Sequence, residues 1–171
     1  MLNIRNSMDF SGVTLRKPTA EDGTSVHQLI TRTPELDSNS CYCNLLQCSH
    51  FSETSIIAES NEETLGFISG YIKPQSPETL FIWQVAVSSK ARGNGVGGKM
   101  LRSLLEREEN VSITHIETTI TESNDASWAL FSSLAEHFSA PVERSVMFDR
   151  AMHFNDEHDS ELLARIGPLS R

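Results

Sequence analysis

The chain has 171 residues, of which 38% are hydrophobic and 22% charged; that is enough apolar material for one core and too much for a disordered chain. Fourteen Lys and Arg against 23 Asp and Glu leave a net charge of −9, which argues against general binding to nucleic acid or to an anionic membrane. No stretch approaches the roughly 20 apolar residues of a membrane span, and the segment 1–11 lacks the apolar core of a signal peptide.

Val13 to Arg16 reads as a short strand. Thr19 with Asp22 three residues on reads as a capping box opening a helix that carries Val26, Leu29 and Ile30. A second helical stretch, Ser40 to His50, puts Tyr42, Leu45, Leu46 and Ser49 on one side. It also holds Cys41, Cys43 and Cys48, whose odd number and crowding fit neither a disulfide framework nor zinc spacing. They predict a reduced, cytoplasmic protein with no metal site.

Thr54 to Glu59 and Thr64 to Lys73, around a turn at Asn61-Glu62-Glu63, have the pattern of a β-hairpin, and Thr79 to Val87 is a strong strand. After a glycine-rich segment comes a helix with Met100, Leu101, Leu104 and Leu105 on its inner stripe. Ile113 to Ile120 is a further strand. Asn124 and Asp125 cap a helix whose Trp128, Phe131, Leu134, Ala135 and Phe138 face inward, and Ser145 to Phe148 is a late strand. From Asp156 the chain turns acidic, and charge patterning alone reads it as a solvated tail. No linker divides these elements. The expectation is one α/β (α+β) domain over 13–171 behind a short extension, 1–12.

The glycine-rich segment carries the first chemistry. Ser88-Ser89-Lys90-Ala91-Arg92-Gly93-Asn94-Gly95-Val96-Gly97-Gly98 joins a strand to a helix, where main-chain N–H groups converge and the helix end adds about half a positive charge. From Ser88 to Leu105 there are Lys90, Arg92, Lys99 and Arg102 and no acid, so this is a phosphate cradle in an acidic chain. Gly93 to Gly98 also spells the dinucleotide fingerprint G-x-G-x-x-G. Five residues separate it from the strand, however, and the nearest candidate acid, Glu117, lies inside its strand rather than at its end. A P-loop is excluded because Gly98-Lys99 leads to Met100. An ordinary glycine-rich loop remains the plain alternative.

Arg92-x-x-Gly95-x-Gly97, after a strand ending Gln84-Val85-Ala86-Val87, resembles the acyl-CoA pyrophosphate loop of the GNAT acetyltransferases, and the order of elements is similar across nearly the whole chain. The resemblance implies a mixed central sheet flanked by helices, with acyl-CoA held at a splayed strand pair. It implies that Val85, Ala86 and Val87 meet the pantetheine arm. It gives Arg92, Gly93, Asn94, Gly95, Val96 and Gly97 the diphosphate, and Asn124 a contact to the arm. Within that superfamily, the run from Pro34 to Leu46, the strand Phe81 to Val87 and the tail His158 to Leu163 resemble the diaminobutyrate acetyltransferases of ectoine biosynthesis. That implies acetyl-CoA as co-substrate, L-2,4-diaminobutyrate as acceptor, no metal, no nucleic-acid or membrane partner, and a homodimer.

A diamine with one carboxylate needs acids and aromatic faces around its ammonium groups. Asp37, Tyr42, Trp83, His158 and Glu161 are the substrate-binding candidates, with Glu161, His158 and Tyr42 the candidates for proton transfer. Each also has a plain reading. Asp37 could cap the following helix, Tyr42 could be a core-edge aromatic, Trp83 could be core, and His158 with Glu161 could belong to a solvated tail. His27, His50, His115, His137 and His153 receive no role. One departure stands out: many GNAT enzymes have a Tyr seven residues after the Asn that opens the cofactor helix, and here that position is Phe131. A GNAT enzyme for another small amine and a non-catalytic acyl-CoA-binding domain are the competing functions.

Overall fold

Alternating runs of β-branched and aromatic residues build a seven-stranded sheet in the order β1-β2-β3-β4-β5-β7-β6, in a computed structural model that describes residues 12–171. Apart from Gly12, the predicted extension 1–12 lies outside the described residues. The strands are β1 (Thr14–Arg16), β2 (Ile56–Ser60), β3 (Glu63–Ile72), β4 (Thr79–Val87), β5 (His115–Thr121), β6 (Val142–Phe148) and β7 (Glu161–Ile166). The predicted hairpin is β2–β3, closed by Asn61 and Glu62, which both adopt left-handed φ (50° and 63°), the conformation a tight two-residue turn demands. All neighbours run antiparallel except β4 and β5, which are parallel.

Two apolar clusters cover the sheet on opposite faces. On one face, α3 (Val96–Leu105) and α4 (Asp125–His137) bury Met100, Leu101, Leu104, Phe131 and Leu134 against Leu80, Ile82, Ile116 and Ala164. On the other, α1 (Gly23–Thr31) places Val26, Leu29 and Ile30 on Ile57, Phe67 and Ala86. The capping box forms, with Asp22 accepting from the Thr19 N–H at 2.7 Å, but it opens a short 3₁₀ turn before α1 begins. In α2 (Cys41–Ser49) the buried stripe is Asn44, Gln47 and Cys48, whereas Tyr42 on the opposite side is 69% exposed. Polar residues take the inner face because they pair there: Asn44 meets His27 at 3.0 Å and donates to Gln47 at 2.9 Å. All three cysteines are free, and burial pushes the Cys48 thiol up to about 12.

The C-terminal acidic run is a correction to the tail reading. After β6, a short helix α5 (Arg150–Phe154) turns the chain back, and β7 inserts between β5 and β6 with Glu161 opposite Thr121. The run Leu162-Leu163-Ala164-Arg165-Ile166 has sheet neighbours on both sides, which outweighs the charge of the residues before it.

Where β4 and β5 meet, Glu117 is 1% exposed and ion-paired to both Lys73 and Arg165. Burial pushes its carboxyl up, but the hydrogen bonds and charges of these two cations outweigh burial and hold it below the usual carboxylate range. Because the folded value is depressed, this group stabilises the fold above its unfolded value near 4.3, and that stability fades as pH falls through the folded value. Arg165→Met is therefore expected to cost roughly 3 kcal/mol at pH 7, since it removes one partner of a buried charge. Its acid unfolding should begin at higher pH than in the wild type. Urea titrations monitored by circular dichroism at several pH values check both; an unchanged midpoint at pH 7 would show the cluster to be energetically idle.

Candidate active site

The β4–β5 pairing stops early. Thr79, Leu80 and Phe81 pair with His115, Ile116 and Glu117, and beyond Phe81 the two strands part. On its other side β4 carries a bulge: Ser69 faces Gln84 and Gly70 faces Ile82, so Trp83 has no partner on β3. The bulge needs glycine at position 70, where a Cβ would lie 2.9 Å from the Phe81 carbonyl and 3.0 Å from that of Thr54. The sequence therefore makes a V-shaped opening, with an unpaired residue of β4 beside it.

At the wide end lies a cleft of about 460 Å³, bordered by Val85, Val87, the loop Ala91–Gly98 and the start of α4. Gly93 and Gly95 have φ of +78° and +71°, and nothing lies within 4 Å of where their Cβ atoms would be. Left-handed backbone over empty space, just before the N-terminus of α3, suits a bulky anion such as a diphosphate. Val96 and Gly97 complete the cradle. Asn94 does not line the cleft; its side chain folds back on its own loop, donating to the Arg92 carbonyl at 3.0 Å. Ala86 has its side chain in the core beneath α1. Asn124 spends its side-chain oxygen on capping α4, accepting from Ser127 N–H at 3.1 Å, which leaves its amide N–H groups for a ligand.

Arg92 turns across the cleft to Glu35, at 3.2 and 3.0 Å. The pair holds the Glu35 carboxyl below its usual range and raises the Arg92 guanidinium. Glu35 and Leu36 also border a second chamber of about 340 Å³, contiguous through Val85, Asn124 and Ser127, which contains Asp37, Trp83, Gln84, Thr119, Phe131 and Glu161. Asp37 does not cap α2, because Ser40 does, accepting from Cys43 N–H at 3.1 Å. Trp83 is not core: it is 46% exposed, with Tyr71 edge-on at 6.3 Å. The structure thus brings Asp37, Trp83 and Glu161 together from a loop, a bulge and the start of β7.

His158 flanks Glu161, its Nε2 at 4.0 Å from the carboxylate, while its Nδ1 lies 2.6 Å from the Asp159 carbonyl. It borders a separate depression with Arg150 and Asp156 rather than the chamber. Tyr42 borders neither cleft, its ring standing in solvent on α2. Glu35 and Gln84 were not among the sequence candidates. Neither belongs to a recognisable spacing; only the fold places them at the chamber. The lining of the second chamber has three carboxylates, from Glu35, Asp37 and Glu161, and no Lys or Arg among the described residues.

Comparison with known proteins agrees with this geometry. The chain is 54% identical over 157 residues to an L-2,4-diaminobutyric acid acetyltransferase of Methylotuvimicrobium alcaliphilum, covering 92% of this chain and 91% of that one. It is 50% identical over 151 residues to the enzyme of the same name from Vibrio cholerae, covering 88% and 87%. The diaminobutyrate acetyltransferase EctA from Paenibacillus lautus, solved in complex with L-2,4-diaminobutyric acid and coenzyme A, superposes with a TM-score of 0.87 at 42% identity, covering 91% of this chain and 95% of that one. Residues 24–135 match the Acetyltransferase (GNAT) family. A splayed β4–β5 pair, a bulge at its edge and a glycine cradle at a helix start are how this sequence realises that pattern, and the chain belongs to the GNAT acetyltransferase family.

Proposed function

We propose that the domain over 13–171 transfers the acetyl group of acetyl-CoA to the 4-amino group of L-2,4-diaminobutyrate, a step of ectoine biosynthesis, in a complex that holds both substrates. The observation that carries this reading is that two unlike chambers share a wall at Val85 and Asn124: an anion cradle on one side, and an acidic, aromatic chamber on the other. The 42% identical Paenibacillus lautus enzyme, bound to the same pair of ligands, supports it.

In this reading the main chain of Gly93 to Gly97 and the α3 N-terminus grip the diphosphate. Arg92 would add its charge, Val85, Ala86 and Val87 would offer main-chain groups to the pantetheine arm, and Asn94 would act by bracing the loop. Asn124 would donate to the arm. Asp37, Glu161 and the face of Trp83 would receive the acceptor, whereas Tyr42, which borders neither chamber, would have no contact with it. Holding both substrates turns a bimolecular encounter into an oriented one. The neutral amine nitrogen bonds to the thioester carbon, a main-chain N–H at the bulge meets the oxyanion, and the C–S bond breaks to release thiolate. Glu161, with His158 beside it, takes the proton lost by the nitrogen. Phe131 has no proton to give, and a thiol near pKa 8.5 leaves as thiolate without a donor.

The choice of nitrogen has to come from the chamber. A side-chain ammonium titrates near 10.4 and an α-ammonium nearer 8, so in water the α-amine supplies more reactive form. Asp37 must grip the α-ammonium and leave the 4-amine at the thioester, beside Glu161. Incubation with acetyl-CoA and a panel of diaminobutyrate, ornithine, lysine and putrescine, read by mass spectrometry with fragmentation, tests the reading. Diaminobutyrate acetylated at N4 is the expected product. Putrescine belongs in the panel because a chamber lined by three acids and, among the described residues, no Lys or Arg also suits a diamine without a carboxylate; preferential acetylation of putrescine would replace the proposal.

We further infer a cytoplasmic homodimer. Among the described residues no helix is long and apolar enough to cross a membrane. The edge strand β6 is exposed throughout, with Val146, Met147 and Phe148 at 57%, 37% and 39%, beside an apolar groove that includes Phe51, Tyr71 and Phe81. An uncovered apolar edge of this kind favours a second copy as its cover. Light scattering should give twice the chain mass of 19.0 kDa; a monomer at micromolar concentration would count against it.

A further inference from the structure

The acidic chamber depends on one loop. The segment between α1 and α2 is anchored by Leu36 against the apolar cluster beneath α1, but Asp37, the next residue, is exposed and belongs to neither cluster, so packing does not orient it. Two polar contacts tie this segment to the sheet side. At one end Glu35 pairs with Arg92. At the other, the Gln84 side-chain amide donates to the main-chain oxygen of Asp37 itself, at 2.9 Å.

Gln84 sits on β4 immediately after the bulged Trp83, with Ser69 opposite it. Its other polar atom, Oε1, is buried and has no partner among the described residues, and neither has the hydroxyl of Ser69, which is 1% exposed. An amide packed so that its oxygen goes unsatisfied has its orientation set by its nitrogen. Here that nitrogen has one acceptor among the described residues, the carbonyl of Asp37, a residue that lines the chamber.

We propose that Gln84 is a positioning residue for the acceptor amine: by tying the main chain of Asp37 to the strand beside the bulge, it sets the distance between the Asp37 carboxylate and the point where β4 presents the thioester. The assignment rests on the acetyl-transfer reading. Gln84 does not touch the reacting atoms. It acts through Asp37, and its loss shows as poorer use of the acceptor with the coenzyme cradle untouched, because that cradle is built from Gly93 to Gly97 on the far side of Val85.

The test is a double-mutant cycle with Gln84→Met, which keeps the length and loses the donor, and Asp37→Ala, each assayed for both substrates. Gln84→Met is expected to raise the diaminobutyrate KM about tenfold, with coenzyme A affinity by calorimetry unchanged within about twofold. Retained coenzyme A binding also shows that the variant folds. Gln84→Glu, equally long but with an acceptor where the donor was, should show the same defect. In the Asp37→Ala background, Gln84→Met should add little further loss, because the carboxylate it positions is gone. Additive losses, or an unchanged diaminobutyrate KM in Gln84→Met beside an active wild type, overturn the role of Gln84 and leave acetyl transfer standing. A wild type that binds coenzyme A but never acetylates diaminobutyrate overturns both.

Discussion

Gly95→Val is expected to weaken coenzyme A binding by roughly 100-fold or more while leaving the fold in place. Gly95 is the N-cap of α3 at φ +71°, a conformation that a β-branched side chain resists strongly. Escaping that strain means moving the loop whose N–H groups form the cradle. If the loop holds, the new methyl groups enter space that is empty around the Cβ position, where the diphosphate is proposed to sit. Either way the anion loses donors, and two or three charge-assisted hydrogen bonds at about 1.5 kcal/mol each account for a loss of this size. Calorimetric titration with coenzyme A, with circular dichroism as the folding control, makes the measurement. Near-wild-type affinity would mean that the diphosphate lies elsewhere.

Asp37→Ala is the second large effect: kcat/KM for diaminobutyrate should fall about 100-fold, with coenzyme A affinity changed by less than about twofold. A charge-assisted contact to an ammonium group is worth about 1.5–3 kcal/mol, which is one to two powers of ten. The Asp37 main chain stays tied to Gln84 after the substitution, because the bond uses the carbonyl and not the carboxylate. The loop should therefore keep its place, and the loss should be chemical rather than structural. Asp37→Asn, which keeps a hydrogen-bond acceptor but removes the charge, should fall between the two. Wild-type turnover in Asp37→Ala would remove this carboxylate from the site.

How far these features could be read from the residues alone depended on whether a local pattern carried them. The hairpin, the long strand, the cradle and the helix capped by Asn124 each have a turn, a period or a cap to announce them, and all four form. The α2 face differs from the sequence expectation because its buried stripe is polar: Asn44 bonds both His27 and the Gln47 side-chain oxygen there. β7 was hidden because a strand flanked on both sides need not alternate, and an acidic run precedes it. In the site, Trp83 and Glu161 followed from the family resemblance, whereas Gln84 and Glu35 are set by a loop crossing to β4, and no sequence period encodes such a crossing. Tyr42 had the right chemistry on the wrong side of its helix.

The insertion of β7 between β5 and β6 also bears on how the protein is made. Synthesis delivers β6 before β7, yet in the sheet β6 touches only β7. Until β7 leaves the ribosome, β6 has no strand to pair with, while β5 stands as a temporary sheet edge. The glycine cradle, made of earlier segments, can close first. Of the three chamber carboxylates Glu161 alone arrives after the cradle, so a nascent chain would complete its anion-binding half before its acidic half.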